Sequence, residues 1–152
     1  SYIYANTSQQ IHINTKTIMY KEGQEYQEEV SFTQEQVQAF ADFSNDTNPI
    51  HLDAEYAATT QFKKPIMHGM IGASVFSKIY AMDFPGKAPV FLTHNVSFKR
   101  PMYVDTLYEV KVVITHIDQD RHIATFAGTI SDKETGKTCM VVESKLMQKE
   151  LF

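Results

Sequence analysis

Cysteine is almost missing from this chain. Cys139 is the only one in 152 residues, so no intrachain disulfide and no cysteine-built metal cluster can form. A reducing compartment is expected: the cytoplasm, with an organelle lumen as the alternative. Long apolar runs are missing too. No stretch approaches the roughly 20 residues that cross a bilayer, so no membrane partner is expected. Neither sign of charge dominates. The 14 Lys and Arg against 18 Asp and Glu leave a net charge of -4, and the only adjacent basic pairs are Lys63-Lys64 and Lys99-Arg100. A nucleic-acid face needs clustered cations, so no nucleic-acid partner is expected either. Internal repeats, low-complexity tracts and a glycine-rich phosphate loop are all lacking. Because the chain opens on Ser1, nothing is read from the lack of a leader.

What is present amounts to one domain, with 43% apolar residues and enough length to bury about two-thirds of its unfolded surface. Residues 1–23 are polar, with a short alternation at Ile11, Ile13 and Ile18, and read as a loosely attached arm before a domain at 24–152. Tyr26 to Phe32 reads as a strand leading into a helix. Thr33 is an N-cap and Gln36 completes a capping box, with Phe32 and Val37 at the positions of a hydrophobic staple. Val37, Phe40, Ala41 and Ser44 follow helical spacing. The helix should stop near Asn45, because Pro49 disfavours helical geometry at Asn48. A second short helix is expected from Asp53 to about Thr60. His68 to Met82 is nearly all apolar or small, with Lys78 its only charge before Asp83, which predicts a helix buried on almost all sides. Four β-rich stretches follow: Val90–Phe98, Leu107–His116, Ile123–Ser131 and Thr138–Met147. Together these predict an α+β fold with an antiparallel sheet wrapped around one long buried helix.

The chemistry-bearing stretch is Asp46-Thr47-Asn48-Pro49-Ile50-His51, followed by Asp53. On an unbroken helix, residues five apart point about 140° away from each other. Pro49 breaks the helix, which lets Asp46 and His51 turn into one cavity, and the short Asn48 side chain suits the turn between them. A carboxylate and an imidazole facing one water form an acid–base pair. The plainer alternative is that Asp46 caps a helix and His51 is an ordinary loop residue. A metal site from Asp46, His51, Asp53 and His68 is conceivable, but the chain lacks a recognisable zinc spacing. No metal or other cofactor is expected. The second element is Lys64-Pro65-Ile66-Met67-His68-Gly69-Met70, at the start of the buried helix. Unpaired N–H groups and a partial positive charge gather there, and Gly69 lets a ligand carbonyl approach the backbone. Those are the requirements of an oxyanion hole. Gly69 and Gly72 equally suit tight helix–sheet packing, and the two readings are compatible.

The pattern Asp46-x-Asn48-Pro49-x-His51-x-Asp53 is similar to the hydratase motif of the MaoC-like, (R)-specific enoyl-CoA hydratases and 3-hydroxyacyl-thioester dehydratases. The likeness extends through Phe62–Met70, Ala73–Ser77, Phe84–Lys87 and Val96–Pro101, and covers about Tyr26 to Met147. The resemblance implies a hotdog fold acting as a homodimer on thioesters of coenzyme A or acyl carrier protein. It implies that Asp46 and His51 hold and activate water, that Gly69 N–H faces the thioester carbonyl, and that the Ser77 hydroxyl lies near it. Asn48, Pro65, His68 and Met70 are the candidate substrate-binding residues. Two positions depart from the family pattern. Asn45 stands where glycine is common, and Asp105 follows Tyr103-Val104 directly, where the family usually has Gly-Asp.

The leading expectation is therefore a lyase that reversibly hydrates trans-2-enoyl thioesters to (R)-3-hydroxyacyl thioesters. The alternatives are a hotdog acyl-CoA thioesterase and a non-catalytic acyl-thioester binder. Retention of both Asp46 and His51 speaks against the binder. Ile66, Met70, Ile71, Met82 and Phe84 either line an acyl tunnel or form core. Lys63, Lys64, Lys99 and Arg100 either meet carrier phosphates or an acidic carrier protein, or are solvated surface.

Overall fold

Reciprocal hydrogen bonds start the first helix, as the capping-box pattern predicts. Gln36 N–H donates to Thr33 Oγ1 at 3.3 Å, and Thr33 N–H donates to Gln36 Oε1 at 2.9 Å. In the computed structural model, which describes residues 19–152, this is α1, Gln34–Ser44, and it follows β1, Glu25–Val30. Val37 is buried and Phe32 packs against the same core. The stop comes from Asn45, whose φ of 60° is left-handed, a geometry asparagine tolerates. The structure then adds an element the sequence did not announce. Pro49–Leu52 forms a single turn, α2, capped by Asn48, whose Oδ1 accepts from Ile50 N–H at 3.1 Å. Proline costs nothing at a first helical position because that N–H has no helical partner anyway. His51 therefore sits on a helical turn rather than in a loop. Asp53 caps α3, Ala54–Ala58.

The central helix α4, Gly69–Lys78, continues as a π-helical turn over Ile79–Asp83. It is not buried on all sides. Ile71, Gly72, Ala73, Phe76, Ile79 and Tyr80 pack inward, while Met70, Ser74 and Ser77 form an open stripe at the three- and four-residue spacing of one helical face. Small residues on the open side misled the composition argument, since glycine, serine and methionine suit either environment.

The sheet holds β2, Val90–Phe98, β3, Tyr108–Asp118, β4, Ile123–Asp132, and β5, Thr138–Met147, with β1. All pairings are antiparallel, in the order β1-β3-β4-β5-β2, so β1 and β2 are the edges. This is the hotdog arrangement the resemblance implies. Gly128 on β4 lets α4 seat closely. A Cβ there would stand 2.5 Å from Phe76 Cε1 and 2.7 Å from Val142 Cγ2.

Two of the tunnel candidates are core instead: Ile71 is buried, and Phe84 is buried against Tyr20, Tyr26 and Phe126. Met82 is open to solvent. The end of the expected arm is anchored here: Tyr20 N–H donates to Leu151 O and its hydroxyl to Pro85 O. The rest of that arm, with Ile11, Ile13 and Ile18, lies outside the described residues. Asp105 takes φ 53° and donates its N–H to Phe32 O at 2.8 Å, so it adopts left-handed geometry without a glycine. Among the described residues, no helix is long and apolar enough to cross a membrane.

Candidate active site

Two short hydrogen bonds clamp the segment that carries the acid–base pair. Ile66 N–H donates to Ile50 O at 3.2 Å, and His51 Nδ1 meets Ile66 O at 2.7 Å. A carbonyl only accepts, so Nδ1 of a neutral His51 carries the proton and Nε2 keeps its lone pair. That nitrogen faces Asp46 Oδ2 at 3.9 Å, too far for a direct hydrogen bond. A water about 2.8 Å from each would meet both at roughly a right angle. Asp46 Oδ1 is occupied by Asn48 N–H at 3.3 Å, which turns Oδ2 toward the histidine. The Asp46 side chain is half exposed while His51 is nearly covered.

His68, the N-cap of α4, completes the cluster from below. It is buried, its ring stacks on His51 at 3.8 Å between centroids, and Phe40 lies on it at 4.9 Å. Its Nε2 donates to the Asp46 backbone carbonyl at 2.9 Å, and its Nδ1 has no partner. Asp46, His51 and His68 place one ligand atom each within 4.8 Å of one another, and Asp53 stands outside that group with its carboxylate on Tyr56 N–H. His68 Nε2 is committed to a carbonyl and its unpartnered Nδ1 is buried, so the free groups that face each other are Asp46 Oδ2 and His51 Nε2. A carboxylate and an imidazole so placed can act as an acid–base pair on one water.

A cavity of about 530 Å³ opens beside the pair, lined by His51, Gly69, Met70, Phe98, Lys99 and Arg100 among others. Gly69 is the first residue of α4, and its N–H is in the open first turn. A Cβ on Gly69 would stand 2.7 Å from Phe98 Cε1, whereas one on Gly72 would meet Met140 and Met102 in the core. The two glycines thus do different jobs: Gly69 opens onto the cavity and Gly72 serves packing. Ser77 lines a second, apolar cavity of about 340 Å³ with Phe40, Ser74, Phe91 and His94, and Met70 borders both. Asn48 acts as a cap, Pro65 is half-buried in the connection to α4, and Ile66 lines the larger cavity.

Sequence reasoning missed Phe98 and Met140 as cavity walls. Alternation along β2 marked Phe98 as a strand residue but gave no sign that it faces Gly69. His68 was legible as a motif residue, but not as the support beneath both partners of the pair.

The profile of the MaoC like domain family matches residues 16–138. The (R)-specific enoyl-CoA hydratase of Aeromonas caviae is 41% identical over 108 residues, covering 71% of this chain and 81% of that one. The mitochondrial 3-hydroxyacyl-[acyl-carrier-protein] dehydratase of Arabidopsis thaliana is 30% identical over 117 residues, covering 76% of this chain and 69% of that one. Among solved structures, the (R)-hydratase from A. caviae involved in PHA biosynthesis aligns with a TM-score of 0.80 at 36% identity, over 84% of this chain and 96% of that one. The match spans most of the chain, and the protein belongs to the MaoC-like family.

Proposed function

We infer that this protein is a hydro-lyase that reversibly adds water to trans-2-enoyl thioesters, giving (R)-3-hydroxyacyl thioesters. The observation that carries this reading is the free Asp46 Oδ2 and His51 Nε2, 3.9 Å apart beside a cavity that Gly69 also lines. The names of relatives on either side, a hydratase and a dehydratase, support it. In this mechanism Asp46 and His51 deprotonate the water that attacks C3 and deliver a proton to C2. Gly69 N–H holds the enolate oxygen as it forms. His68 fixes the Asp46 backbone and the His51 ring, so the pair needs little reorganisation during turnover. Ser77, expected near the same carbonyl, lines the neighbouring apolar cavity rather than the larger one, and Met70 borders both. The substrate carrier is coenzyme A or acyl carrier protein. The buried free thiol of Cys139 suits a reducing compartment, the cytoplasm or an organelle lumen.

The active form is a homodimer. Strand β2 is a sheet edge, and it carries exposed Val90, Phe91, Leu92 and Phe98, with exposed Met70 beside Phe91. A bare edge with an apolar face invites a second copy. Light scattering at micromolar concentration should give twice the chain mass, and a monomer there would refute the assembly. The function is tested with crotonyl-CoA and longer enoyl-CoAs. Loss of enoyl absorbance without release of free thiol is expected, and thiol release instead would indicate a thioesterase.

A further inference from the structure

His68, a substrate-binding candidate in the sequence, is only 3% exposed and borders neither cavity. It stands instead between the two halves of the site. Its ring stacks on His51, with centroids 3.8 Å and planes 27° apart, and Phe40 of α1 packs on it at 4.9 Å. Its Nε2 meets Asp46 O at 2.9 Å. A carbonyl only accepts, so this nitrogen carries the proton. His68 is also the N-cap of α4 and leads straight into Gly69, and its own carbonyl accepts from Ile71 N–H at 3.1 Å. One residue is thus bonded both to the carboxylate segment and to the helix start that offers the oxyanion donor.

The Asp46 segment needs that hold. Asn45 is left-handed and Asn48 is a cap, so residues 45–48 form an open turn between α1 and α2. Asp46 N–H donates to Ser44 Oγ at 3.2 Å, Thr47 N–H to Asn45 O at 3.1 Å and Asn48 N–H to Asp46 Oδ1 at 3.3 Å. These bonds are local: they shape the turn without fixing where it lies. Among the described residues, the His68 bond is the one hydrogen bond from residues 45–48 to a segment beyond α1 and α2. His51 differs, since its Nδ1 has Ile66 O at 2.7 Å and Ile50 O accepts from Ile66 N–H. Loss of the stack would leave His51 held, whereas loss of the Nε2–H bond would leave Asp46 unanchored. The arrangement has a cost, because His68 Nδ1 is buried with no partner, and an orphaned buried nitrogen destabilises a fold. A side chain serving packing alone gains nothing from it.

We propose that His68 is a positioning residue that keeps the Asp46 carboxylate in register with Gly69 N–H. The inference rests on the hydro-lyase reading for its assay and not for its geometry. In that reaction water adds at C3 while charge gathers on the oxygen of C1, two bonds away. C3 faces the acid–base pair and the C1 oxygen faces the start of α4, so the two must keep a fixed separation. His68 sets it by joining Asp46 to the residue before Gly69, without touching the substrate. A displacement of about 1 Å at a reacting pair can cost about a hundredfold in rate, far more than one hydrogen bond at an open turn contributes to the fold.

Two substitutions separate the bond from the stack. In His68→Gln an amide N–H still reaches Asp46 O but the aromatic face is gone, and in His68→Phe the face stays but the donor is gone. With crotonyl-CoA, His68→Phe should lower kcat about tenfold to a hundredfold with KM within about twofold. His68→Gln should restore kcat to within about fivefold of wild type. In an Asp46→Asn background His68→Phe should add little, since it acts through Asp46. Crystal structures give a readout that needs no reaction. The Asp46 carboxylate should move about 1 Å or more from its place beside His51 in His68→Phe and keep that place in His68→Gln. Equal loss in both variants, a rise in KM at unchanged kcat, full addition of the losses in Asp46→Asn, or an unmoved Asp46 in His68→Phe overturns the proposal. Should His68→Phe not fold, His68→Asn, whose amide is too short to reach Asp46 O, takes its place with the same expectations. A wild type that hydrates no enoyl-CoA refutes the lyase and leaves positioning to be decided by the crystal structures. Hydration at normal kcat in His68→Phe keeps the lyase and refutes positioning.

Discussion

At the start of α4, His51 and His68 stack beside a carboxylate that is half open to solvent. Farther along the helix, His94 Nδ1 meets Ser144 Oγ at 2.8 Å, and Ser144 Oγ accepts from the Tyr80 hydroxyl at 3.1 Å. Both clusters contain a histidine nitrogen without a hydrogen-bond partner, His51 Nε2 and buried His68 Nδ1 in the first and His94 Nε2 in the second, yet their settings are opposite. In the first, the free His51 nitrogen faces Asp46 and a cavity. In the second there is no carboxylate, and Ser144 and Tyr80 are buried. Burial pushes the Tyr80 hydroxyl up to about 12 and draws His94 below its usual 6.5. His94 also borders a cavity, but an apolar one with no carboxylate in its lining, and a leftover nitrogen becomes chemistry only when a second titratable group faces it. Otherwise the polar chain serves to specify how the core packs.

The strongest way to break this comparison is to disable the first cluster. Asp46→Asn and His51→Gln should each keep the fold and lower turnover at least about a hundredfold. Near-normal activity in either variant would remove that residue from the pair. At Gly69 the donor is backbone and survives substitution, so Gly69→Val acts by filling the cavity beside Phe98. Phe98 is 55% exposed and can swing aside, so the thermal midpoint should hold within a few degrees while activity collapses. Unfolding of the variant would make Gly69 a packing glycine instead. Ser77→Ala deletes one hydroxyl and should cost only about threefold to tenfold in activity, as one neutral hydrogen bond does.

The second cluster should respond in stability rather than activity. Ser144→Ala strands the Tyr80 hydroxyl and His94 Nδ1 in the core, at a cost of about 1–3 kcal/mol, while turnover stays near wild type. A large loss of kcat without loss of stability would contradict the division drawn here. The smallest effect is in pH. Because His94 is depressed in the folded state, the unfolded chain binds its proton more readily. That contribution to stability is intact above about pH 6.5 and declines as pH falls below it. His94→Gln should therefore flatten part of the fall in thermal midpoint between neutral and mildly acidic pH, and an unchanged slope would show that His94 plays no part in it.

How much was legible followed from the range of each signal. The strands were readable because alternation and β-branched residues act locally, and β5 runs Thr138–Met147 as expected. The capping box was readable because Thr33 and Gln36 are neighbours in sequence as in space. The single turn at Pro49–Leu52 was not, since four residues are too few for periodicity and its stability comes from Ile66 pairing back to Ile50. The open stripe on α4 escaped for a related reason: the sequence shows that a segment is apolar, but not which side the sheet fails to cover.

For the site, the sequence alone determined which groups are available: Asp46 and His51 around a proline, a glycine after His68 at a helix start, and two basic pairs. Their chemical character and local turn geometry are properties of short stretches of chain. Only the tertiary structure decided what they face. It joined the 46–51 segment to the start of α4 through Ile66 and His68, and chose by hydrogen bond which nitrogen of His51 stays free. It also put Ser77 and Gly69 on different cavities and set Lys99 and Arg100, but neither Lys63 nor Lys64, in the lining of the larger one. Those outcomes depend on contacts between residues far apart in sequence, whose partners are set by how the sheet closes over the helix and not by any local pattern.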